Sequence, residues 1–342
     1  MYSARLTPSA TQRFSRRWSD LLLVVLTLAA FALVLVAGRS PATIEQPTRA
    51  EAERVYQASE QLVQVATHLA QERGLVYLAL YADDAITAQI REAILVQRQQ
   101  AADAYQATMQ LLRDKLELKM FWPYGLNSQT TQGLDFFRQS IDEQLTRARS
   151  ERDTHMAHSW FNQTTETIDS IDRLLGLVHY QLLRYDTALR PALDLQRFAF
   201  KASELVGRER ALFSAAAAGA TLSARQLAQV QRDRRRLANY WSQAESALQR
   251  DAPDAQLLSA LTIAKTALFV EYQAASTGML NAAAEALDAP DTPAGTAYPL
   301  TPLDWFEQAS QTVDSLLALA TTAGNHAWAT LTTKFAATQA AL

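Results

Sequence analysis

Apolar residues recur every three or four positions along most of the chain, and no segment alternates apolar and polar residues over a useful length. Such spacing places the apolar side chains on one face of an α-helix, whereas alternation would indicate a β-strand. Clusters of Pro, Gly, Asn and Asp interrupt the pattern and divide it into about eight helical segments. Several of these segments are longer than 25 residues, which is typical of antiparallel helical bundles. The pattern therefore predicts an all-α fold.

One segment near the N-terminus is apolar on every face. LLLVVLTLAAFALVLVAG, from Leu21 to Gly38, contains no charged residue, and a helix of that length, about 27 Å, just crosses the hydrocarbon core of a bilayer. Trp18 lies at its leading edge and three arginines precede it. Because positive charge favours the cytoplasmic side, we expect the N-terminus in the cytoplasm and the rest exported. The alternative is a cleavable signal peptide, with a tolerable cleavage site at 36–38.

Two stretches of the sequence are nearly the same. SWFNQTTETIDSIDRLL (159–175) and DWFEQASQTVDSLLALA (304–320), aligned from Trp160 and Trp305, share seven identities in fifteen positions. The similarity extends upstream, where QERGLVYL begins at Gln71 and RERALFSA begins at Arg208. We interpret this as a duplicated unit. The recurring Trp-Phe pairs are expected to anchor the core of each copy.

The repeat and the apolar run together predict the domain organisation. The fold class is all-α, with an N-terminal transmembrane helix followed by two repeated four-helix bundles joined by long helices. The expected localisation is the inner membrane, single-pass, with the main domain periplasmic. The predicted segments are a cytoplasmic N-terminus (1–17), a transmembrane anchor (18–39), a linker (40–48), a first bundle (49–190) and a second bundle (191–342).

Composition excludes several classes of chemistry. The 342-residue chain contains no cysteine, so disulfides and thiolate chemistry are absent. Residues 1–39 carry a net charge of +4 within a total of −3, and the acidic remainder argues against nucleic-acid binding. No catalytic motif is present, and His155 and His158 lack a third metal ligand. The arginine-rich run at 232–236 is interpreted as a solvated helix face. We therefore expect neither an enzyme nor a metal or cofactor site.

One arginine of each copy lies in an otherwise apolar or small-residue helical stripe. Alternating steps of three and four residues connect Arg73 and Arg210 to the following neighbours: Leu62, Ala66, Leu69, Val76 and Leu80 in the first copy, and Ala199, Ser203, Val206, Phe213 and Ala217 in the second. A guanidinium that faces a bundle core needs an anionic partner. The periodicity leaves two kinds of partner open. One is a carboxylate of a neighbouring helix, with Asp103, Asp169 and Asp314 as candidates. The other is a small anion from solvent, held by the arginine fork.

The Glu-Arg helix, the later W-F-x-Q motif with its T-I/V-D-S end, and their duplicated order resemble the nitrate- and nitrite-sensing domain of bacterial receptors. The resemblance covers about residues 50–325. It implies two four-helix bundles that bind nitrate or nitrite between one arginine of each repeat. By position, the ligand-binding residues of this chain would be Arg73 and Arg210. The output modules that usually follow such domains are not found after residue 340.

The resulting hypothesis is a membrane-anchored sensor in which the anion bridges Arg73 and Arg210 and passes a conformational signal to a partner or output module. A homodimer and a separate signalling protein are left open as partners, and the output lies either in another protein or in a longer receptor. The alternative is a membrane-anchored scaffold that senses nothing and holds its arginines in internal salt bridges.

Overall fold

The helices begin and end close to the breaks in the apolar pattern. The structure is a computed structural model that describes residues 48–113, 128–248, 254–288 and 298–340, and within these ranges it contains helices but no strand. The predicted all-α architecture is therefore confirmed. The helices are α1 (Arg49–Tyr81), α2 (Asp84–Leu112), α3 (Ser128–Gln144), α4 (Thr154–Tyr185), α5 (Arg190–Ala217), α6 (Ala224–Leu248), α7 (Ala255–Thr266), α8 (Gln273–Asp288) and α9 (Pro302–Ala340). A π-helical segment, Ala267–Tyr272, joins α7 to α8.

The helix ends have local causes. Asp83, Asp153 and Asp254 precede α2, α4 and α7, and each carboxylate accepts a hydrogen bond from a backbone N–H two or three residues later. This contact satisfies a donor that has no partner inside the helix. Pro191 lies in the first turn of α5, where its missing N–H costs nothing. After α5 the chain turns at Gly219, whose φ of 109° suits glycine and few other residues.

The first helices of the two sequence halves pack against each other at the centre of the fold. Helix α1 packs against α2 and α4, and α5 packs against α6 and α9, while α1 and α5 also share an extensive interface. Residues 49–342 form one compact unit. The α1–α5 interface is therefore where the two copies of the duplicated sequence meet.

The duplicated apolar positions form the core. Both arginine-bearing stripes are buried along their whole length, and Trp160 and Trp305 are fully buried, as the sequence predicts. The ring of Trp305 packs edge-on against Phe213, and its indole N–H donates to the backbone carbonyl of Arg210 at 3.1 Å. The last helix of the second copy is thus held against the arginine-bearing turn of α5.

The fold class that begins with a transmembrane helix is wrong, and so is the inner-membrane localisation derived from it. Within the described residues, no helix is both long and apolar enough to cross a bilayer. The long helices all contain charged residues. Helix α9, with 39 residues, includes Asp314, His326 and Lys334, and the fully buried stretches of α1 and α5 include Arg73 and Arg210. The predicted anchor at 18–39, and the alternative cleavage site within it, lie outside the described residues.

Candidate anion-binding site

Each copy of the repeat carries a Glu-Arg dipeptide whose two side chains serve different interfaces. Consecutive residues of a helix point about 100° apart. Glu72 of α1 therefore turns into its own bundle, and Arg73 turns towards α5. In the same way, Glu209 of α5 turns towards α6, and Arg210 turns towards α1. The dipeptide thus links the interior of each bundle to the interface between the copies.

The two glutamates are buried and paired with arginines. The carboxylate of Glu72 accepts hydrogen bonds from Arg98 at 2.6 Å and from Arg138 at 2.7 Å. The carboxylate of Glu209 accepts from Arg234 at 2.8 Å. The separations along the chain, 26 and 25 residues, are nearly equal in the two copies. This repeated spacing is a signal in the sequence that could have identified both ion pairs.

The basic run at 232–236 is consequently not a uniform solvated face. Arg232, Arg235 and Arg236 are exposed, as predicted. Arg234 instead turns inward, with a quarter of its side chain exposed, and bonds Glu209 and the backbone carbonyl of Ser276 at 2.8 Å. The prediction fails at this one position because the helix face that carries it packs against α5.

The guanidinium of Arg73 forms an ion pair with a carboxylate of the other copy. Its Nη1 and Nη2 donate to the two oxygens of Glu204 on α5, at 2.6 and 3.1 Å. Its Nη1 also donates to the hydroxyl of Thr165 on α4 at 2.9 Å. The ring of Phe161 covers the guanidinium at 5.1 Å. Arg73 therefore has the bidentate partner that a buried guanidinium requires, although its Nε, like that of Arg210, is buried without a hydrogen-bond partner.

Arg210 has equivalent neutral neighbours but no such carboxylate. Its Nη1 donates to the hydroxyl of Ser310 at 2.7 Å, and the ring of Phe306 lies 4.5 Å from the guanidinium. Its Nη2 makes only a 3.4 Å contact with the carbonyl of Ala70. Among the described residues, no carboxylate oxygen lies within 4.0 Å of it, and its buried Nε has no hydrogen-bond partner. Arg210 is thus a fully buried cation without a direct counter-ion.

The two arginine environments are related by the sequence repeat. Thr165 and Ser310 each lie five residues after the tryptophan of their copy, and both bond the Nη1 of their arginine. Six residues before the arginine, however, the copies differ: Glu204 precedes Arg210, whereas Thr67 precedes Arg73. The buried hydroxyl of Thr67 has no hydrogen-bond partner. One copy therefore supplies a carboxylate at this position, and the other supplies an unpaired hydroxyl.

A small cavity lies where these groups meet. It has a volume of about 10 Å³, and its lining includes Thr67, Ala70, Glu204, Gly207 and Arg210. That volume holds about one water molecule. An anion of three or four heavy atoms would fit beside Arg210 only with a local separation of α1 and α5.

The charges around Arg210 compensate it only in part, since Asp314 and Glu204 act on it through space without bonding it. Burial alone would raise the pKa of Glu204, but the charges of Arg73 and Arg208 outweigh it and hold the pKa below its usual range. Burial, and then the nearby positive charge of Arg73, lower the pKa of Arg210 to about 10. Arginine still keeps its proton at physiological pH. The lowered pKa of Arg210 therefore marks the cost of a buried charge that an added anion would reduce.

Each arginine lies over a glycine of the opposite helix. A Cβ atom at Gly74 would lie 3.0 Å from the ring of Phe306 and 3.5 Å from Nη2 of Arg210, and one at Gly207 would lie 3.6 Å from Nη2 of Arg73. Each guanidinium thus packs over the backbone of the opposite helix. The two predicted ligand-binding residues are brought to the same interface, but one of them is already paired.

The predicted carboxylate partners are wrong. Asp169 pairs with Arg208 at 2.6 Å, and Asp103 accepts from Gln99. Asp314 is half-buried and acts on Arg210 only through space; burial raises its pKa and the charge of Arg210 opposes this. Glu204, which bonds Arg73, was missed because the steps of the apolar stripe pass over it.

We expect Gly207→Ala to stabilise the protein while weakening anion binding. Replacing a helical glycine with alanine adds about 0.5–1 kcal/mol of stability, and the new methyl meets Arg73 at an ordinary contact distance. Gly207 also lines the cavity, so if an anion binds there, the added methyl should lower the nitrate affinity by roughly tenfold. Urea unfolding and calorimetric titration of the full chain measure the two effects. Gly133→Ala, with no atom within 4 Å of its new Cβ, is the control and should change stability alone; equal nitrate affinity in both variants would move the anion away from this cavity.

The fold and the site together define an all-α protein with a duplicated helical unit and arginines at the interface between the copies. No protein-family model and no curated protein sequence matches the chain. Among solved structures, the chain is similar to the NasR transcription antiterminator, with 13% sequence identity and a TM-score of 0.57 over 87% of this chain and 74% of that chain. At this identity the similarity supports the fold and not a function.

Proposed function

We propose that this protein is a helical sensor domain that binds nitrate or nitrite at the α1–α5 interface and converts binding into a shift of these two helices. The anion would contact Arg210 and the hydroxyl of Thr67, with Arg73 completing the positive environment. No bond of the anion is made or broken, so the role is recognition and signalling.

The observation that carries the proposal is the state of Arg210. A fully buried guanidinium that lacks a carboxylate is costly, and an anion that enters beside it lowers that cost. The Nε of Arg210 and the Oγ1 of Thr67, both buried and without partners, supply two donors for its oxygens. This combination favours a ligand over an internal ion pair at this half of the interface.

Three properties favour a small planar anion. The cavity of about 10 Å³ leaves little room, so a compact anion requires less separation of α1 and α5 than a larger one would. The guanidinium fork donates two roughly parallel hydrogen bonds, which match two oxygens of a planar oxyanion. The resemblance of the duplicated Glu-Arg and Trp-Phe motifs to the nitrate- and nitrite-sensing family indicates the same ligands.

The position of the site suits signalling. Arg73 and Arg210 lie on helices of 33 and 28 residues that pack against each other and against the remaining helices of their own copies. An anion that offsets the repulsion of the two cations changes the preferred spacing of these helices, and a packed interface converts such a change into a rigid-body shift.

The first test is a thermal-shift series on the full chain with nitrate, nitrite, chloride and sulfate at equal ionic strength. We expect nitrate or nitrite to raise the melting temperature, because a ligand at 100 times its Kd stabilises the native state by about 2.7 kcal/mol. Chloride should not do so, since it lacks the planar oxygen pair. Titration calorimetry would then give the affinity. Equal curves in all four salts would contradict the proposal.

The alternative is a scaffold whose arginines are satisfied internally. The bidentate pair between Arg73 and Glu204, with both side chains buried, is the specific observation in its favour. This alternative predicts that no small oxyanion stabilises the protein. It leaves Arg210 without an explanation, so we place it second.

A further inference from the structure

The two arginine environments differ mainly in one charged side chain. Arg73 and Arg210 each have a hydroxyl on Nη1 and a phenylalanine ring over the guanidinium. Glu204 has the neutral Thr67 as its counterpart in the other copy. A site that the repeat makes symmetric therefore contains one negative charge on one side only.

Glu204 bonds two cations, Arg73 and Arg208. It bonds Arg73 across the interface and, at 2.8 Å, Arg208 one turn later on its own helix. Arg208 is in turn paired with Asp169 on α4 at 2.6 Å. The charge of Arg208 is thereby matched by Asp169, and Glu204 remains as the counter-ion of Arg73.

Glu204 also lines the cavity that touches Arg210. Apart from Arg208, which Asp169 matches, the charged groups that line this cavity or bond its lining are Arg210, Arg73 and Glu204, with a summed charge of +1. The half-buried Asp314 acts on Arg210 from beyond hydrogen-bond distance and in partly solvated surroundings, so it offsets only part of that charge. A monovalent anion brings this sum to zero. A divalent anion would leave an uncompensated buried negative charge beside the carboxylate of Glu204, and like charges repel strongly in a low-dielectric environment.

We infer that Glu204 is the residue that determines the charge of the anion accepted here: by neutralising Arg73, it restricts the site to monovalent oxyanions and excludes divalent ones such as sulfate. This inference rests on the proposed anion site. It concerns the selectivity of that site, which the motifs shared by the two copies do not specify, because Glu204 is where the copies differ.

Titration calorimetry of the full chain with nitrate and with sulfate at equal ionic strength tests the inference. Wild-type protein should bind nitrate and show sulfate affinity weaker by roughly tenfold or more. In Glu204→Gln the local charge becomes +2, so sulfate should gain at least about tenfold more than nitrate gains. Glu204→Thr, which places the residue of the first copy in the second, should behave in the same way. Either variant suffices if the other does not fold.

Two controls separate local charge from general effects. Glu204→Asp keeps the carboxylate and should keep the wild-type preference for nitrate. Asp172→Asn removes a carboxylate that pairs with Arg197 and Lys201, so it changes net charge by the same amount and should leave the nitrate-to-sulfate ratio unchanged.

The outcomes distinguish the two proposals. Nitrate binding by wild type with an unchanged ratio in Glu204→Gln overturns the selectivity role and keeps the sensor. Sulfate binding by the Gln variant without any nitrate binding by wild type overturns the sensor and supports the effect of Glu204. If neither the wild type nor any folded variant binds nitrate or sulfate, both the sensor proposal and the selectivity role are overturned.

Discussion

Arg210→Met is expected to abolish nitrate binding while leaving the anion-free protein as stable as wild type or more stable. The substitution removes a buried cation that has no carboxylate within 4.0 Å among the described residues. The methionine fills similar volume and can contact the ring of Phe306. Losing the hydrogen bond from Arg210 to Ser310 should cost little stability, because the hydroxyl of Ser310 still donates to the carbonyl of Phe306 at 2.7 Å. The bond from Trp305 reaches the backbone of Arg210 and is unaffected.

Urea unfolding without ligand and calorimetry with nitrate measure the two halves of this expectation. Arg236→Met is a suitable control, since that arginine is exposed and pairs with Asp233 outside the interface. The control should bind nitrate normally. A nitrate Kd within twofold of wild type in Arg210→Met would remove Arg210 from the site, and a loss of stability of more than about 2 kcal/mol would indicate that its charge is satisfied in the native state.

Arg73→Met is expected to have the opposite effect on stability, with a loss of about 3–5 kcal/mol. The substitution leaves the buried carboxylate of Glu204 with Arg208 as its remaining cation and leaves the hydroxyl of Thr165 without its donor. Since domains are stable by only about 5–15 kcal/mol, such a change is large. Two arginines in equivalent positions of the repeat should therefore differ by several kcal/mol when they are replaced by the same residue.

The double variant Arg73→Met with Glu204→Gln tests the cause. Removing both charges should recover most of the lost stability, because it avoids a buried carboxylate whose remaining cation, Arg208, is shared with Asp169. Urea unfolding of the two single variants and the double variant gives the coupling free energy. Additive losses would show that the Arg73–Glu204 pair does not account for the effect. If Arg73→Met does not fold, recovery of a folded double variant still supports the explanation.

The sequence could place Arg73 and Arg210 at an interface because the surrounding stripe is regular. Every member of both stripes is buried, and a helix that buries such a stripe must bury its arginine as well. The two arginines also have similar neutral neighbours at equal positions of the repeat. Thr165 and Ser310, each five residues after the tryptophan of its copy, both bond the Nη1 of their arginine.

Glu204 could not be identified in the same way. It lies six residues before Arg210, about 120° around the helix from it, and it is therefore off the stripe. Its spacing of four residues from Arg208 is that of an ordinary surface ion pair. Only the docking of α5 on α1 and α4 turns it towards Arg73, which is 131 residues away in the chain. The same docking turns Arg234 inward from a run of arginines that is otherwise exposed.

Local patterns of this chain determined its helices, its duplication and the burial of one arginine in each copy, because periodicity and capping act within single segments. The tertiary structure alone decided that Arg73 is neutralised and Arg210 is not. That difference depends on which carboxylate the packing of α1 against α5 brings within hydrogen-bond distance. Burial makes each unpaired charge costly, so one glutamate on one side of a repeated interface is enough to make two equivalent arginines physically different.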